Sequence, residues 1–262
     1  MAEALNPIDG TRISFDATGE GPAVVLLHGS ALSRAIWRGL GYVAALAHAH
    51  TVVRIDLRGH GRSDKPHDAG AYAMRLVAGD VLAVMDAAGL DRASVVGYSF
   101  GARVGFALAA SAPGRVERLA TLGGAYRPQA GQVAKVFFDG YAEALRDGGM
   151  PGFVEGMVAA GRDVDPATRA AFLANDPLAL GAYFEATEAA PGLSEPLLHQ
   201  LTMPALLMAG TRDPARLEES RHAATVMPNA RFVELPGRTH AGTLHPSGDV
   251  LEHLVPFLRG SC

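Results

Sequence analysis

Cysteine is nearly absent from this chain: there is one in 262 residues, at the final position, Cys262. An internal disulfide is thereby excluded, a chain-end thiol makes a poor nucleophile, and the usage fits a reducing compartment. Charge of one sign is lacking too. Lys and Arg total 23 against 27 Asp and Glu, for a formal net charge of −4. With no basic run, neither nucleic acid nor an anionic membrane surface is an expected partner. No apolar stretch reaches the roughly 18 residues that a spanning helix needs. The first residues, Met1 to Pro7, hold no basic segment and no apolar one. No signal peptide is therefore expected, and the expected location is cytoplasmic.

What is present is a globular composition, 48% hydrophobic and 19% charged, on a chain long enough to bury a large core. Short apolar runs recur at Ala23–Leu27, Thr51–Ile55, Ala93–Val96, Leu119–Leu122, Ala205–Met208 and Arg231–Leu235. They are continuous rather than alternating, as strands buried on both faces of a parallel sheet must be. Arg12–Phe15 alternates more and suits an antiparallel edge strand. Helical patterns lie between the runs, at Ser33–Ala47, Tyr72–Ala88, Phe100–Ala112, Pro214–Val226 and Ser247–Leu258. This alternation predicts a doubly wound α/β sheet. From Leu122 to Pro204 no strand pattern appears, only helical stretches at Gln132–Arg146, Gly152–Ala160, Pro166–Ala174 and Leu178–Ala189. An insertion that long, far beyond an ordinary crossover, reads as a helical cap over 125–201 on a core of 1–124 and 202–262.

Ser99 stands in Gly97-Tyr98-Ser99-Phe100-Gly101, where an apolar strand meets an Ala-rich helix. A strand turning directly into a helix lifts one side chain above the sheet in a strained backbone conformation, with small residues on either side to relieve crowding. The plain alternative is a helix N-cap, since 31 glycines make the motif accessible by accident. The first strand run ends in His28-Gly29-Ser30. The backbone N–H groups of Ser30 and Phe100 are the predicted oxyanion hole. His28 itself is expected to hold the turn rather than move protons.

A serine needs a base, and the base an orienting acid. Of ten histidines, His240 follows the last strand run directly, in Gly237-Arg238-Thr239-His240. Its neighbour His245 precedes Pro246 and suits a cap or the surface. Asp213, in Gly210-Thr211-Arg212-Asp213-Pro214, follows the strand before and is the candidate acid, with a helix N-cap as its bland alternative.

These residues, with Trp37, the run Asp56-Leu57-Arg58-Gly59-His60-Gly61-Arg62-Ser63-Asp64, Gly210 and Glu234-Leu235-Pro236-Gly237, make the chain resemble the α/β-hydrolase fold superfamily from about Arg12 to Arg259. The similarity is to the subgroup of small esterases, lactonases and cofactor-free haloperoxidases. The resemblance implies a mostly parallel twisted sheet flanked by helices, with a cap inserted between the last strands. It implies Ser99 as nucleophile, His240 as base and Asp213 as its orienter, and assigns Asp56, Arg58 and His60 to scaffold. Arg238-Thr239 departs from the small or apolar pair many relatives carry. Ser rather than Asp at 99 disfavours an alkyl-ester route.

The expected activity is hydrolysis of a small carboxylic ester or lactone through an acyl-enzyme, with no cofactor and no metal. Carbon–carbon bond hydrolysis, haloperoxidase or lyase chemistry on the same triad, and a non-enzymatic ligand receptor, are the rivals. The cap aromatics Phe137, Phe138, Tyr141, Phe153, Phe172, Tyr183 and Phe184 are expected mainly to pack the cap, one or two lining a pocket. Arg146, Arg162 and Arg169 are the cap cations considered for a substrate carboxylate, though solvated helix faces suit each better. No oligomeric state is implied.

Overall fold

A computed structural model describes residues 2–260, so Cys262 lies outside the described residues. Eight strands form one sheet: β1 (Ala2–Leu5), β2 (Arg12–Thr18), β3 (Ala23–Leu27), β4 (Thr51–Ile55), β5 (Ala93–Tyr98), β6 (Val116–Leu122), β7 (Ala205–Gly210) and β8 (Ala230–Leu235). Their order across the sheet is β1-β2-β4-β3-β5-β6-β7-β8. The first two strands pair antiparallel, as do β2 and β4. Every pairing from β4 through β8 is parallel.

The continuous apolar runs divide by residue parity. Val25, Leu27, Val53, Val95, Leu119 and Leu207 face one side, with Val77, Val84, Val104 and Leu108 packed on them. Val24, Leu26, Val52, Val96, Leu206 and Met208 face the other, beneath Trp37, Leu46, Val250 and Leu254. A strand covered on both faces leaves few positions for polar residues, so these segments read as nearly unbroken apolar runs, with Arg54, Ser94 and Thr121 as buried exceptions. Helices α1 (Ala35–Gly39), α2 (Tyr42–Leu46) and α11 (Gly248–Leu258) cover the second face. Helices α3 (Met74–Ala87), α4 (Phe100–Ser111) and α10 (Pro214–Val226) cover the first.

Between β6 and β7 come five helices and no strand: α5 (Gln132–Val136), α6 (Tyr141–Ala159), α7 (Pro166–Leu173), α8 (Pro177–Ala189) and α9 (Glu195–His199). Phe137, Phe153 and Phe184 form a ring cluster at their centre, with centroids 5.1–6.0 Å apart. Asp165 and Asp176 cap α7 and α8, each accepting two backbone N–H bonds.

Three expectations are corrected. The sheet edge is β1, not Arg12–Phe15, because Ala2–Leu5 pairs along the outer side of β2. The helix expected over Ser33–Ala47 is two short ones, broken where Gly41 adopts φ 84°. Between β6 and β7, the expected Gln132–Arg146 helix is interrupted before Tyr141, at Gly140 with φ 85°. The segment after Pro151 instead continues α6 across a kink at Gly149.

Candidate active site

At the carboxyl end of β5 the chain turns into α4 through Ser99, whose φ of 52° and ψ of −111° few non-glycine residues adopt. Strand and helix approach too closely there for side chains on either side. A Cβ at Gly97 would lie 2.3 Å from the Gly101 carbonyl oxygen, and one at Gly101 would lie 2.1 Å from that of Leu27. The Ser99 hydroxyl consequently stands free of the helix it begins and makes no capping bond.

His240, in the loop after β8, meets that hydroxyl. Ser99 Oγ lies 2.9 Å from His240 Nε2, and His240 Nδ1 lies 2.6 Å from Asp213 Oδ2. Asp213 occupies the N-cap position of α10, and its Oδ2 meets the imidazole rather than closing a side-chain cap bond. Burial pushes the Asp213 carboxyl up, but the His240 hydrogen bond and charge, with Arg216 beside it, outweigh burial and hold it below its ordinary value. An ionised Asp213 keeps the proton on Nδ1 and leaves Nε2 to accept from Ser99. The Tyr98 ring lies against the imidazole, centroids 5.5 Å apart. Arg238, the departure from the family pattern, ties this loop down: its guanidinium donates to the Gly242 and Pro246 carbonyls and pairs with Asp249. His245 is exposed.

Ser30 and Phe100, whose N–H groups are the expected oxyanion hole, line the same cleft. Neither N–H has a hydrogen-bond acceptor among the described residues. The Ser30 hydroxyl is 2.6 Å from the Tyr183 hydroxyl. The turn carrying Ser30 is held by two buried imidazoles. His28 Nδ1 donates to the Gly29 carbonyl while Nε2 accepts from the Leu57 N–H. His60 Nδ1 donates to the Arg58 carbonyl while Nε2 accepts from the Ala31 N–H. Both rings are fully enclosed. Desolvation lowers the His28 pKa to about 4. Desolvation, then repulsion from His28, lowers that of His60 to about 3. Each is therefore a neutral, doubly bonded strut. Beneath them Arg58 grips Asp80 through two bonds of 2.6 Å, and Asp56 accepts the Arg34 and Arg62 N–H groups.

Above Ser99 lies a narrow cleft of about 40 Å³, open on one side, walled by Phe137, Tyr183 and Phe184 from the segment between β6 and β7 and by Arg103 and Arg216 from α4 and α10. The cap cations considered from the sequence lie elsewhere. Arg162 donates to the Phe137 and Lys135 carbonyls, Arg146 pairs with Asp147, and Arg169 is not in the cleft wall. Sequence reasoning passed over Arg103 and Arg216. The available signal was spacing: Arg103 falls one helical turn after Ser99, inside an otherwise apolar helix.

A family profile described as alpha/beta hydrolase fold matches residues 22–242. The enol-lactonase from Burkholderia xenovorans LB400 superposes with a TM-score of 0.83 at 29% identity, covering 98% of this chain and 100% of that one. An esterase from Thermogutta terrifontis superposes with a TM-score of 0.84 at 26% identity, covering 99% and 98%. Epoxide hydrolase B of Mycobacterium tuberculosis is 43% identical over 111 residues, 40% of this chain and 31% of its own length. The chain spans about a third of the length of the first curated relatives it matches.

Proposed function

From the premise that the chain belongs to the alpha/beta hydrolase fold family and is a hydrolase, we propose that it cleaves a small carboxylic ester or lactone through an acyl-enzyme on Ser99, with His240 as base and Asp213 as its orienting acid. The observation that carries this reading is the unbroken hydrogen-bond chain Ser99–His240–Asp213, at 2.9 and 2.6 Å. Ser99 Oγ bonds to the substrate carbonyl carbon as its proton passes to His240 Nε2. The carbonyl oxygen, now negative, takes the unoccupied N–H groups of Ser30 and Phe100, each such donor being worth about 3–4 kcal/mol in a transition state. The bond from carbon to the leaving oxygen then breaks, and His240 returns its proton to that oxygen. Water, activated by the same imidazole, releases the acid and restores Ser99.

Relatives that open epoxides share the scaffold, but the nucleophile argues against that chemistry here. A serine attacking an epoxide carbon would leave an ether, which water does not cleave under these conditions, whereas attack on a carbonyl leaves a hydrolysable ester. In this reading 125–201 is a cap over the core formed by 1–124 and 202–262, and its partner is the small molecule it encloses. The test is turnover of short-chain p-nitrophenyl esters by wild type and Ser99→Ala. A loss of about 1,000-fold or more in kcat is expected, and near wild-type activity in a folded Ser99→Ala protein would refute the assignment.

A further inference from the structure

The wall of the Ser99 cleft holds a buried guanidinium, that of Arg103, with no carboxylate against it among the described residues. Arg103 is 8% exposed and Arg216 is 7% exposed, so both guanidiniums have left water. Charges that far from solvent need partners. Arg216 has them: Gln129 Oε1 at 3.0 Å and, more loosely, Glu219 Oε2 at 3.5 Å. The other Glu219 oxygen is occupied by the N–H groups of Tyr126 and Arg127. Arg103 has one hydrogen bond, from Nη1 to the Arg127 carbonyl at 2.9 Å, and no carboxylate within 4.0 Å among the described residues. Arg216 thus has Glu219, with the Asp213 carboxylate also near it, whereas Arg103 is a buried guanidinium of the cleft wall that faces no carboxylate among the described residues. Burial lowers the Arg103 pKa to about 10, so it remains a cation at neutral pH.

Position ties this charge to the reaction. Arg103 lies four residues along α4 from Ser99, about 6 Å down the helix axis, and its backbone N–H donates to the Ser99 carbonyl. Both arginines line the cleft together with Ser99, Ser30 and Phe100. His240, the group that must reach the leaving oxygen, meets Ser99 Oγ from the loop after β8, whereas Arg103 approaches from α4. The Arg103 end is therefore assigned to the part of the substrate that stays on Ser99, the acyl chain.

We propose that the acyl part of the substrate carries a free carboxylate, bound by Arg103 and secondarily by Arg216, so that the preferred substrates are half-esters of dicarboxylic acids or lactones with a carboxylate side arm. This rests on the acyl-enzyme reading above and adds the substrate class to it. Arg103 is the specificity-determining residue. Its planar fork matches a carboxylate in two parallel bonds, which no neutral ester end can supply.

The test compares mono-p-nitrophenyl esters of glutaric, adipic and pimelic acids with their methyl-capped counterparts, which differ only in charge. Wild type should favour the free acid by about 10- to 100-fold in kcat/KM at one or more chain lengths, the range of a charge-assisted hydrogen bond. In Arg103→Gln the ratio of free-acid to capped kcat/KM should fall to within about threefold of unity, mostly through KM for the acid. Arg103→Lys should keep an intermediate ratio. Circular dichroism would establish that both variants are folded, and the wild-type ratio decides by itself if they are not. A wild-type ratio at or below unity at all three lengths overturns the proposal, as does an unchanged ratio in folded Arg103→Gln. Reaction of Ser99 with a fluorophosphonate separates the two layers. Labelling without preference for the acid overturns the carboxylate site alone, and no labelling overturns the nucleophile assignment beneath it.

Discussion

Replacing His60 with Gln should remove about half of the stability that the wild-type protein's two buried struts lose on acidification. His60 and His28 are enclosed and neutral, with folded pKa values of about 3 and about 4, against about 6.5 in an unfolded chain. A depressed folded value means that the unfolded state binds the proton first. The stability is therefore complete above about pH 6.5 and is lost as pH falls from there toward the folded values. At pH 5, still above both folded values, each ring costs about 2 kcal/mol relative to pH 8, and the pair about 4 kcal/mol. The Gln side chain keeps an acceptor for the Ala31 N–H where Nε2 stood but binds no proton. Urea unfolding at pH 8 and pH 5 should show a drop smaller by about 2 kcal/mol in His60→Gln than in wild type. Equal drops in the two proteins would show that His60 is not held neutral. The consequence reaches the site, because the Ala31 N–H that His60 holds belongs to the turn presenting Ser30.

Further expectations follow from single contacts. Asp213→Asn should lower kcat by about 10,000-fold with little change in KM, since the imidazole loses its enforced tautomer; a loss under tenfold in steady-state kinetics would contradict the assigned role. Gly101→Ala sets a Cβ 2.1 Å from the Leu27 carbonyl oxygen, so the variant should fail to accumulate as folded protein, and wild-type thermal unfolding of that variant would contradict the tight strand–helix contact. Asp80→Ala removes the buried carboxylate facing the fully buried Arg58 and leaves it only Asp9, at 2.8 Å, as a charged partner; the loss should be about 3 kcal/mol in urea unfolding. The double variant Arg58→Met with Asp80→Leu should recover much of that loss.

The residues of this sequence differ in how plainly they announce their place. Val24 to Leu27 and Leu206 to Met208 were legible as central strands because burial on both faces leaves few polar positions. Ala2–Leu5 was not, since an edge strand needs only one inward residue, and here only Ala4 is buried. The helix breaks at Gly41 and Gly140 turn on single left-handed residues that a helical pattern passes over. Ser99, Asp213 and His240 could be singled out as candidates because each comes within a few residues of a strand end and the sheet gathers strand ends on one rim. Arg103 was not findable in the same way. An arginine on a helix ordinarily reads as solvated, and it is the packing of Tyr183 and Phe184 from α8 onto the same cleft that helps to enclose it.

Whether Ser99 forms the covalent intermediate is read out by peptide mapping after fluorophosphonate treatment. One phosphonyl group per chain is expected, on the peptide containing Ser99, and none in Asp213→Asn over the same interval. Modification of another residue, or of none in a folded and active protein, would contradict that assignment.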